Sequence, residues 1–346
     1  MTFIPRRTAL MALGAMAAAS IAGNALAQQQ VTLRLHQMLP AQATIPARAL
    51  VPWAQKVEAE SGGKIKVQLF NAMALGGAPP QLFDQARDGV VDLTWTVLGY
   101  TPGRFNKSEV FELPFMSGSA EESSRAFQEY VEKFAADEFR EVKLIAVHTH
   151  GPGLFHTKTP VTGLESLRGM KVRGGSRIIN NMLTKLGATP VGMPVPAVTD
   201  ALSKGTIDGT TIPWEVTPSL KVTELVKNHT TFAGAEGLYT QTFALSMNKA
   251  AYDKLPADLK KVIDNNSGIE TAAFFGRAMD EGDKAGRAIA EKAGNNIVAL
   301  DAAETQRWRR TASVVETDWI NEVKGKGIDG AKLAAEARAL IAKHTK

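Results

Sequence analysis

The stretch that says most about the fold is Leu164-Glu165-Ser166-Leu167-Arg168-Gly169-Met170-Lys171-Val172-Arg173-Gly174-Gly175-Ser176. It predicts a short turn over 164–167, a strand over 170–173 and a helix that begins at Ser176. Gly187 ends that helix. A strand that is followed so closely by a helix is the repeating unit of an α/β fold.

The same alternation of strands and helices extends on both sides of this stretch. Towards the N-terminus, the pattern predicts strands at 31–36, 64–70, 91–97 and 142–149, with helices at about 45–59, 79–87 and 120–139 between them. Towards the C-terminus, it predicts helices at 197–204, 304–324 and 330–343 and strands at 207–212 and 297–300. Repeated strand-helix-strand units predict parallel pairing, with ligands bound outside the carboxyl ends of the strands.

A long segment from about 256 to 294 has no proline after Pro256, and its apolar residues recur at helical spacing. This pattern predicts one very long helix. Four glycines, at 268, 276, 282 and 286, leave a break into two helices as the alternative.

The N-terminus has the pattern of a secretory signal peptide. Basic Arg6 and Arg7 precede an Ala-rich apolar run, and small residues at Ala25 and Ala27 predict cleavage near Ala27, so that residues 1–27 are removed. Either the general or the twin-arginine export route fits this pattern. We therefore expect a periplasmic protein, and the alternative of a retained membrane anchor is weaker because the apolar run is short.

The composition excludes several classes of protein. The chain has no cysteine, which removes disulfide scaffolds, thiolate metal sites, cysteine nucleophiles and lipid anchors on a cysteine. The formal net charge is +5, and +3 once Arg6 and Arg7 are removed, with the charges dispersed along the chain. Nothing in this distribution indicates nucleic-acid binding. About 319 residues remain after cleavage, which is more than one hydrophobic core usually organises, so two lobes are expected.

The predicted strand over 170–173 ends in Arg173, and the helix start at Ser176 lies beside it. A guanidinium can hold a carboxylate through two parallel hydrogen bonds, and a helix N-terminus adds free N–H groups. This local pattern therefore predicts an anion site. The alternative is an arginine that is solvated or paired with a nearby acid, which is the commoner situation.

The sequence resembles a family, the solute-binding proteins of tripartite ATP-independent periplasmic (TRAP) transporters of the dicarboxylate-binding (DctP) type. Several motifs carry the resemblance in order and at the family's spacing: LRGMKVR at 167–173, LGATPV at 186–191, Met193-Pro194 and GTIDG at 205–209. Looser agreement is found at GGKI (62–65), Leu75-Gly76 and GVVD (89–92). The resemblance covers nearly the whole mature chain.

The resemblance implies an α/β, two-lobed periplasmic binding protein of the Venus-flytrap type, with a long helix spanning both lobes. We expect lobe I to comprise residues 28–150 plus about 240–282, and lobe II 151–239 plus about 283–346. The resemblance implies that Arg173 holds the ligand carboxylate, that Ser176 gives a polar contact to it, and that the lobes close around the ligand. It implies small and large membrane subunits as partners and neither catalysis nor a cofactor.

Two departures from the family pattern bear on the ligand. Many members carry a second arginine where this chain reads Gly151-Pro152-Gly153, and a polar segment where it reads TTIPW at 210–214. Thr211 and Trp214 fall in that second segment, and we count both as candidate ligand contacts. One arginine and more apolar walls favour an aromatic or apolar monocarboxylate over a C4 dicarboxylate.

Further candidates have both a functional and a structural interpretation. Tyr100 follows the strand at 91–97 and could donate its hydroxyl to the ligand or be a turn residue, and Trp214 could be a ligand wall or core. Glu215 could bind a ligand amine, although an ordinary helix-start carboxylate is the commoner case. His150 is a candidate for a hydrogen bond at the end of a strand. The spacing of His148, His150 and His156 does not specify a metal site.

Two alternatives to a TRAP binding subunit stay open at this point. A periplasmic enzyme could use the same two-lobed scaffold, because a fold alone does not determine function. The chain could also be the binding subunit of an ATP-driven importer, against which the motifs around Arg173 argue.

Overall fold

The computed structural model describes residues 30–345. The predicted signal peptide and its cleavage near Ala27 lie outside these residues. The described chain forms two β-sheets with helices packed on them, which confirms the predicted α/β, two-lobed architecture.

Eleven strands, numbered in chain order, are found in the described residues. They are β1 (Val31–His36), β2 (Ile65–Phe70), β3 (Leu93–Val97), β4 (Val142–Thr149), β5 (Leu154–Thr157), β6 (Lys171–Gly174), β7 (Thr189–Gly192), β8 (Gly209–Ile212), β9 (Asn228–Thr231), β10 (Thr242–Asn248) and β11 (Asn296–Ala299).

The α-helices of the same residues are α1 (Val51–Glu60), α2 (Leu82–Arg87), α3 (Ala120–Tyr130), α4 (Arg177–Lys185), α5 (Val198–Ser203), α6 (Val222–Leu225), α7 (Lys249–Asp253), α8 (Ala257–Asn265), α9 (Ile269–Lys292), α10 (Ala302–Ala312), α11 (Val314–Lys324) and α12 (Gly330–His344). The predicted helix at 120–139 is α3 extended by a π turn and a 3-10 turn, and the predicted helix at 304–324 is divided into α10 and α11. None of the helices of residues 30–345 is long and apolar enough to cross a membrane.

The first sheet has the strand order β2-β1-β3-β10-β4 and the second has the order β11-β9-β5-β8-β6-β7. Most pairs are parallel, as predicted, but β10 runs antiparallel to β3 and β4, and β5 runs antiparallel to β8 and β9. Strands β5, β7, β9 and β10 were not predicted from the sequence. Each sheet therefore contains one strand that runs antiparallel to its neighbours, β10 in the first and β5 in the second.

Within the described residues, three segments carry the chain between the sheets: one from β4 to β5, one from β9 to β10, and helices α7 to α9 from β10 to β11. The first two are crossing segments that run side by side. They pair with each other, because the Leu238 N–H donates to the Gly153 carbonyl (3.0 Å) and the Gly153 N–H donates to the Tyr239 carbonyl (2.9 Å). The approach is so close that a Cβ on Gly237 would lie 2.5 Å from the Cα of Pro152. The lobe limits near 150 and 240 fall in these crossing segments and stay predictions.

The segment from 256 to 294 is two helices, so the prediction of one very long helix is wrong and the alternative of a break is correct. Gly268 has a φ of +80°, which breaks the helix before α9. The chain is also held at Asn266, whose carbonyl accepts from the Trp53 indole (2.8 Å). Helix α9 still has 24 residues and packs on α3, on β4 and on the turn Trp214–Val216, so it touches both halves of the molecule.

Candidate ligand-binding site

Arg173 lies at the carboxyl end of β6, and its side chain is fully buried. Its Nε donates to the Met193 carbonyl (2.9 Å), its Nη1 to the Thr211 carbonyl (3.3 Å) and its Nη2 to the Tyr100 hydroxyl (3.5 Å). None of these partners is negatively charged. The guanidinium, which stays protonated in proteins, is therefore buried without a counter-ion among its hydrogen-bond partners.

Tyr100 connects the end of β3 to this arginine. It ends the 3-10 turn Leu98–Tyr100, and its hydroxyl accepts from the Val195 backbone N–H (2.7 Å) as well as from Arg173. Burial raises the pKa of Tyr100, so the phenol is neutral and its hydroxyl hydrogen is free to donate. Two candidate ligand contacts, Tyr100 and Arg173, are thus brought together across the two sheets.

A cavity of about 30 Å³ next to Tyr100 lies between the two sheets. The first sheet contributes Trp95 and Phe243, whose rings stack at 5.1 Å with an interplanar angle of 10°. The second sheet contributes Ile212 and the turn that follows it. Stacked rings on one side and an aliphatic side chain on the other form walls that suit a flat apolar group.

His150 also lines this cavity, as a neutral imidazole with a fixed tautomer. Its Nε2 accepts from the Gln241 backbone N–H (3.1 Å), so the proton is on Nδ1, which lies 2.6 Å from the Gly151 carbonyl. Burial lowers the pKa of His150 to about 4. His148 instead accepts from the Trp95 indole (2.8 Å), and His156 pairs with His229. Residues 30–345 contain no group of three or more side chains placed to hold a metal ion.

Three further predicted residues, Thr211, Ser176 and Trp214, lie outside the lining of this cavity. Thr211 positions the guanidinium, because its carbonyl accepts from Arg173 and its hydroxyl donates to the Arg173 carbonyl (3.1 Å). Ser176 caps helix α4 by accepting from the Ile179 N–H and lines a neighbouring, more open cleft. The Trp214 ring packs on His156 and His229 in the second sheet. Direct ligand contacts for these three residues stay predictions.

Two further polar side chains, Gln241 and Glu215, lie in the cavity wall, and of these only Glu215 was weighed as a ligand contact from the sequence. Among the described residues, the Gln241 Nε2 and the Glu215 Oε2 are buried and have no hydrogen-bond partner. Burial raises the pKa of Glu215 to about 7. For Glu215 the sequence left a contact with a ligand amine and an ordinary helix-start role as alternatives, and Gln241 precedes a strand that was not predicted. Unsatisfied buried groups in a cavity wall indicate a site that a ligand completes.

Comparison with known proteins agrees with this geometry. Residues 36–322 match the bacterial extracellular solute-binding proteins of family 7, also called DctP. The chain belongs to this family. The DctP family comprises binding subunits of TRAP transporters, as the sequence resemblance implied, so its members are transport proteins.

Solved structures of TRAP solute-binding proteins superpose closely on this DctP chain. One from Rhodoferax ferrireducens T118, in complex with copurified benzoate, is 51% identical, with 91% of this chain and 98% of that chain covered and a TM-score of 0.90. A marine metagenome protein specific for aromatic acid ligands, with 3-hydroxybenzoate, is 49% identical over 92% of this chain and all of that one, with a TM-score of 0.91. A periplasmic protein from Bordetella bronchiseptica with bound mandelate is 32% identical, covers 91% and 100% of the two chains and has a TM-score of 0.84.

Proposed function

We propose that this DctP protein is the exported, periplasmic subunit that captures an aromatic monocarboxylate and delivers it, unchanged, to TRAP membrane subunits. The observation that carries the proposal is the buried guanidinium of Arg173, which has no counter-ion among its partners and lies beside a cavity with aromatic walls. A buried charge without a counter-ion costs several kcal/mol, and a ligand carboxylate offsets that cost.

The charges around the cavity favour a single carboxylate. The ionisable side chains in its wall are Tyr100, His150 and Glu215, and none of them is a lysine or arginine. Arg173, whose Nη2 donates to Tyr100, supplies a positive charge next to this wall. A second ligand carboxylate would enter a wall that is mostly apolar and offers no further positive charge, at a cost in desolvation. Mono-anions are therefore preferred over C4 dicarboxylates.

Closure is the proposed mechanism. The cavity is of the size that one or a few water molecules fill, so a benzoate ring enters only when the two sheets move apart and the walls form again around it. The two crossing segments and helix α9 are the connections about which this movement takes place. A ligand that contacts both sheets stabilises the closed form, which the membrane subunits would recognise.

The comparisons support an aromatic monocarboxylate as the ligand. Two solute-binding proteins that are 51% and 49% identical to this chain were solved with benzoate and with 3-hydroxybenzoate. Family membership argues against the alternative of an ATP-driven importer. It also disfavours the enzyme alternative, since the site offers an anchor and walls without an assembled nucleophile and base.

Calorimetric titration of the protein from Gln28 onward with benzoate and with succinate tests the proposal, together with Arg173→Lys. We expect benzoate to bind more tightly than succinate, and Arg173→Lys to weaken benzoate binding by about 100-fold or more, since an ammonium lacks the planar fork. The matched control is Arg168→Lys, an exposed arginine five positions earlier in the same segment, which should bind like the wild type. Tight succinate binding would contradict the mono-anion preference, and undiminished benzoate binding by Arg173→Lys would contradict the anchor.

A further inference from the structure

Glu215 presents one unsatisfied carboxyl oxygen, Oε2, in the cavity wall, while its backbone is held firmly. Its N–H donates to the Asp283 Oδ1 on helix α9 (2.7 Å), and its carbonyl accepts from the Thr44 hydroxyl (3.1 Å). The residue is 5% exposed, and no described residue hydrogen-bonds its Oε2. A rigid backbone with an unpartnered buried oxygen at the cavity is the arrangement expected of a ligand contact.

The surroundings of Glu215 favour its neutral form. Burial is the main cause of its raised pKa, and the pKa of Asp283 beside it is raised further above its usual value, by burial and then by Glu215 itself. Two neighbouring carboxyl groups that are shielded from solvent and whose charges repel each other do not both ionise readily. A neutral carboxyl offers one O–H donor and an acceptor oxygen, so its complement is an uncharged polar group.

The other unsatisfied group of the wall, Gln241, belongs to the carboxylate end of the site. Its amide lies against Gly175, since a Cβ there would be 2.6 Å from the Gln241 Nε2, and Gly175 is two residues beyond Arg173. Its N–H donors suit an anion. Glu215 has different neighbours, Thr44 and Gly282, and so serves a different part of the ligand.

We infer that Glu215 is a specificity-determining residue whose carboxyl group hydrogen-bonds a hydroxyl carried on the ring of the bound aromatic acid. The inference rests on the proposed function, and it narrows the ligand class to hydroxy-substituted aromatic monocarboxylates. An unsubstituted ring leaves the Glu215 carboxyl unsatisfied, whereas a ring hydroxyl at the matching position completes it.

The test compares benzoate, 3-hydroxybenzoate and 4-hydroxybenzoate by titration calorimetry on the wild type, Glu215→Gln and Glu215→Met. We expect the wild type to bind one hydroxybenzoate about tenfold more tightly than benzoate. Glu215→Gln keeps a neutral hydrogen-bonding group and most of this ratio, whereas Glu215→Met reduces the ratio to about one with benzoate affinity kept. Glu281→Gln, an exposed glutamate on α9, is the control and keeps the wild-type ratio.

The outcomes separate this inference from the proposed function. If benzoate binds as tightly as both hydroxybenzoates, or if Glu215→Met keeps the wild-type ratio, the role of Glu215 is refuted while aromatic acid binding stands. If no aromatic acid binds the wild type, both proposals are wrong. Should Glu215→Met fail to fold, the ratio in Glu215→Gln decides, because a loss of the preference there contradicts a neutral hydrogen bond.

Discussion

Gly286 on helix α9 is the point where a single methyl group should disturb the connection between the long helix and the binding site. A Cβ built there would overlap the carbonyl oxygen of Trp214 and lie 2.8 Å from its carbonyl carbon. Unstrained carbon contacts are about 3.5–4.0 Å, so Gly286→Ala forces the helix and the turn Trp214–Val216 apart by roughly 1 Å.

The expected cost of Gly286→Ala follows from two opposing terms. Overpacking of this kind costs about 1–3 kcal/mol, and the upper part of that range applies because the obstructing atoms are backbone. Alanine recovers about 1 kcal/mol over glycine in a helix. The net loss is about 2 kcal/mol in the free energy of unfolding, which lowers the melting temperature by roughly 4 °C in a chain of this size.

Thermal unfolding of the ligand-free protein, followed by circular dichroism, measures this effect. Ala288→Ser, an exposed change two positions along the same helix, is the control and should stay within about 0.5 kcal/mol of the wild type. The turn also carries Glu215 into the cavity wall, so hydroxybenzoate affinity should fall in Gly286→Ala. A melting temperature equal to or above that of the wild type would refute the reasoning, since it would mean that the turn yields without cost.

Three further predictions concern pH, the aromatic wall and the crossing segments. Burial raises the pKa of Glu112 from 4.5 to about 7, so the stability that this group contributes is fully present below about pH 4.5 and is lost as the pH rises through 7. Urea titrations of Glu112→Gln should therefore show a smaller fall in unfolding free energy between pH 5 and pH 8 than the wild type does, and an equal fall would contradict the burial argument. Trp95→Leu removes the stacked ring and leaves His148 without its donor, so we expect a loss of about 3 kcal/mol in stability and at least tenfold weaker benzoate binding; unchanged calorimetric affinity would remove Trp95 from the ligand wall. Gly237→Ala places a methyl group against Pro152 and should lower the melting temperature by several degrees. A thermal unfolding curve that coincides with that of the wild type would show that the crossing segments accommodate the methyl group without strain.

Strands with a clear apolar pattern were predicted from the sequence, and the missed ones lack such a pattern for physical reasons. Strand β9 reads NHTT and is nearly all buried, because His229 and its neighbours find hydrogen-bond partners inside the sheet. Strand β10 is buried at every position, so its sequence shows no alternation between a core face and a solvent face. Whether a polar side chain finds a hydrogen-bond partner, and whether a strand is buried on both faces, is decided only when the sheets assemble. Neither property can be recognised in the local sequence.

The site was predictable to the extent that it depends on local sequence. Arg173 was found because it ends a strand before a helix, and Tyr100 because it follows the carboxyl end of another strand. The roles of Glu215 and Gln241 could not be predicted in the same way. Each role depends on a buried side-chain atom that finds no hydrogen-bond partner in distant parts of the chain. The break after α8 shows the same limit, because Trp53 holds Asn266 from 213 positions away.

The place of β10 in the first sheet has a consequence for the order in which the sheet can form. Among the described strands, β4 pairs only with β10, which also pairs with one edge of β3. The residues that precede β10 in the chain therefore include the four other strands of this sheet and still cannot close it. The edges of β3 and β4 stay unpaired until the chain up to Asn248 is in place, so the first sheet closes late in folding.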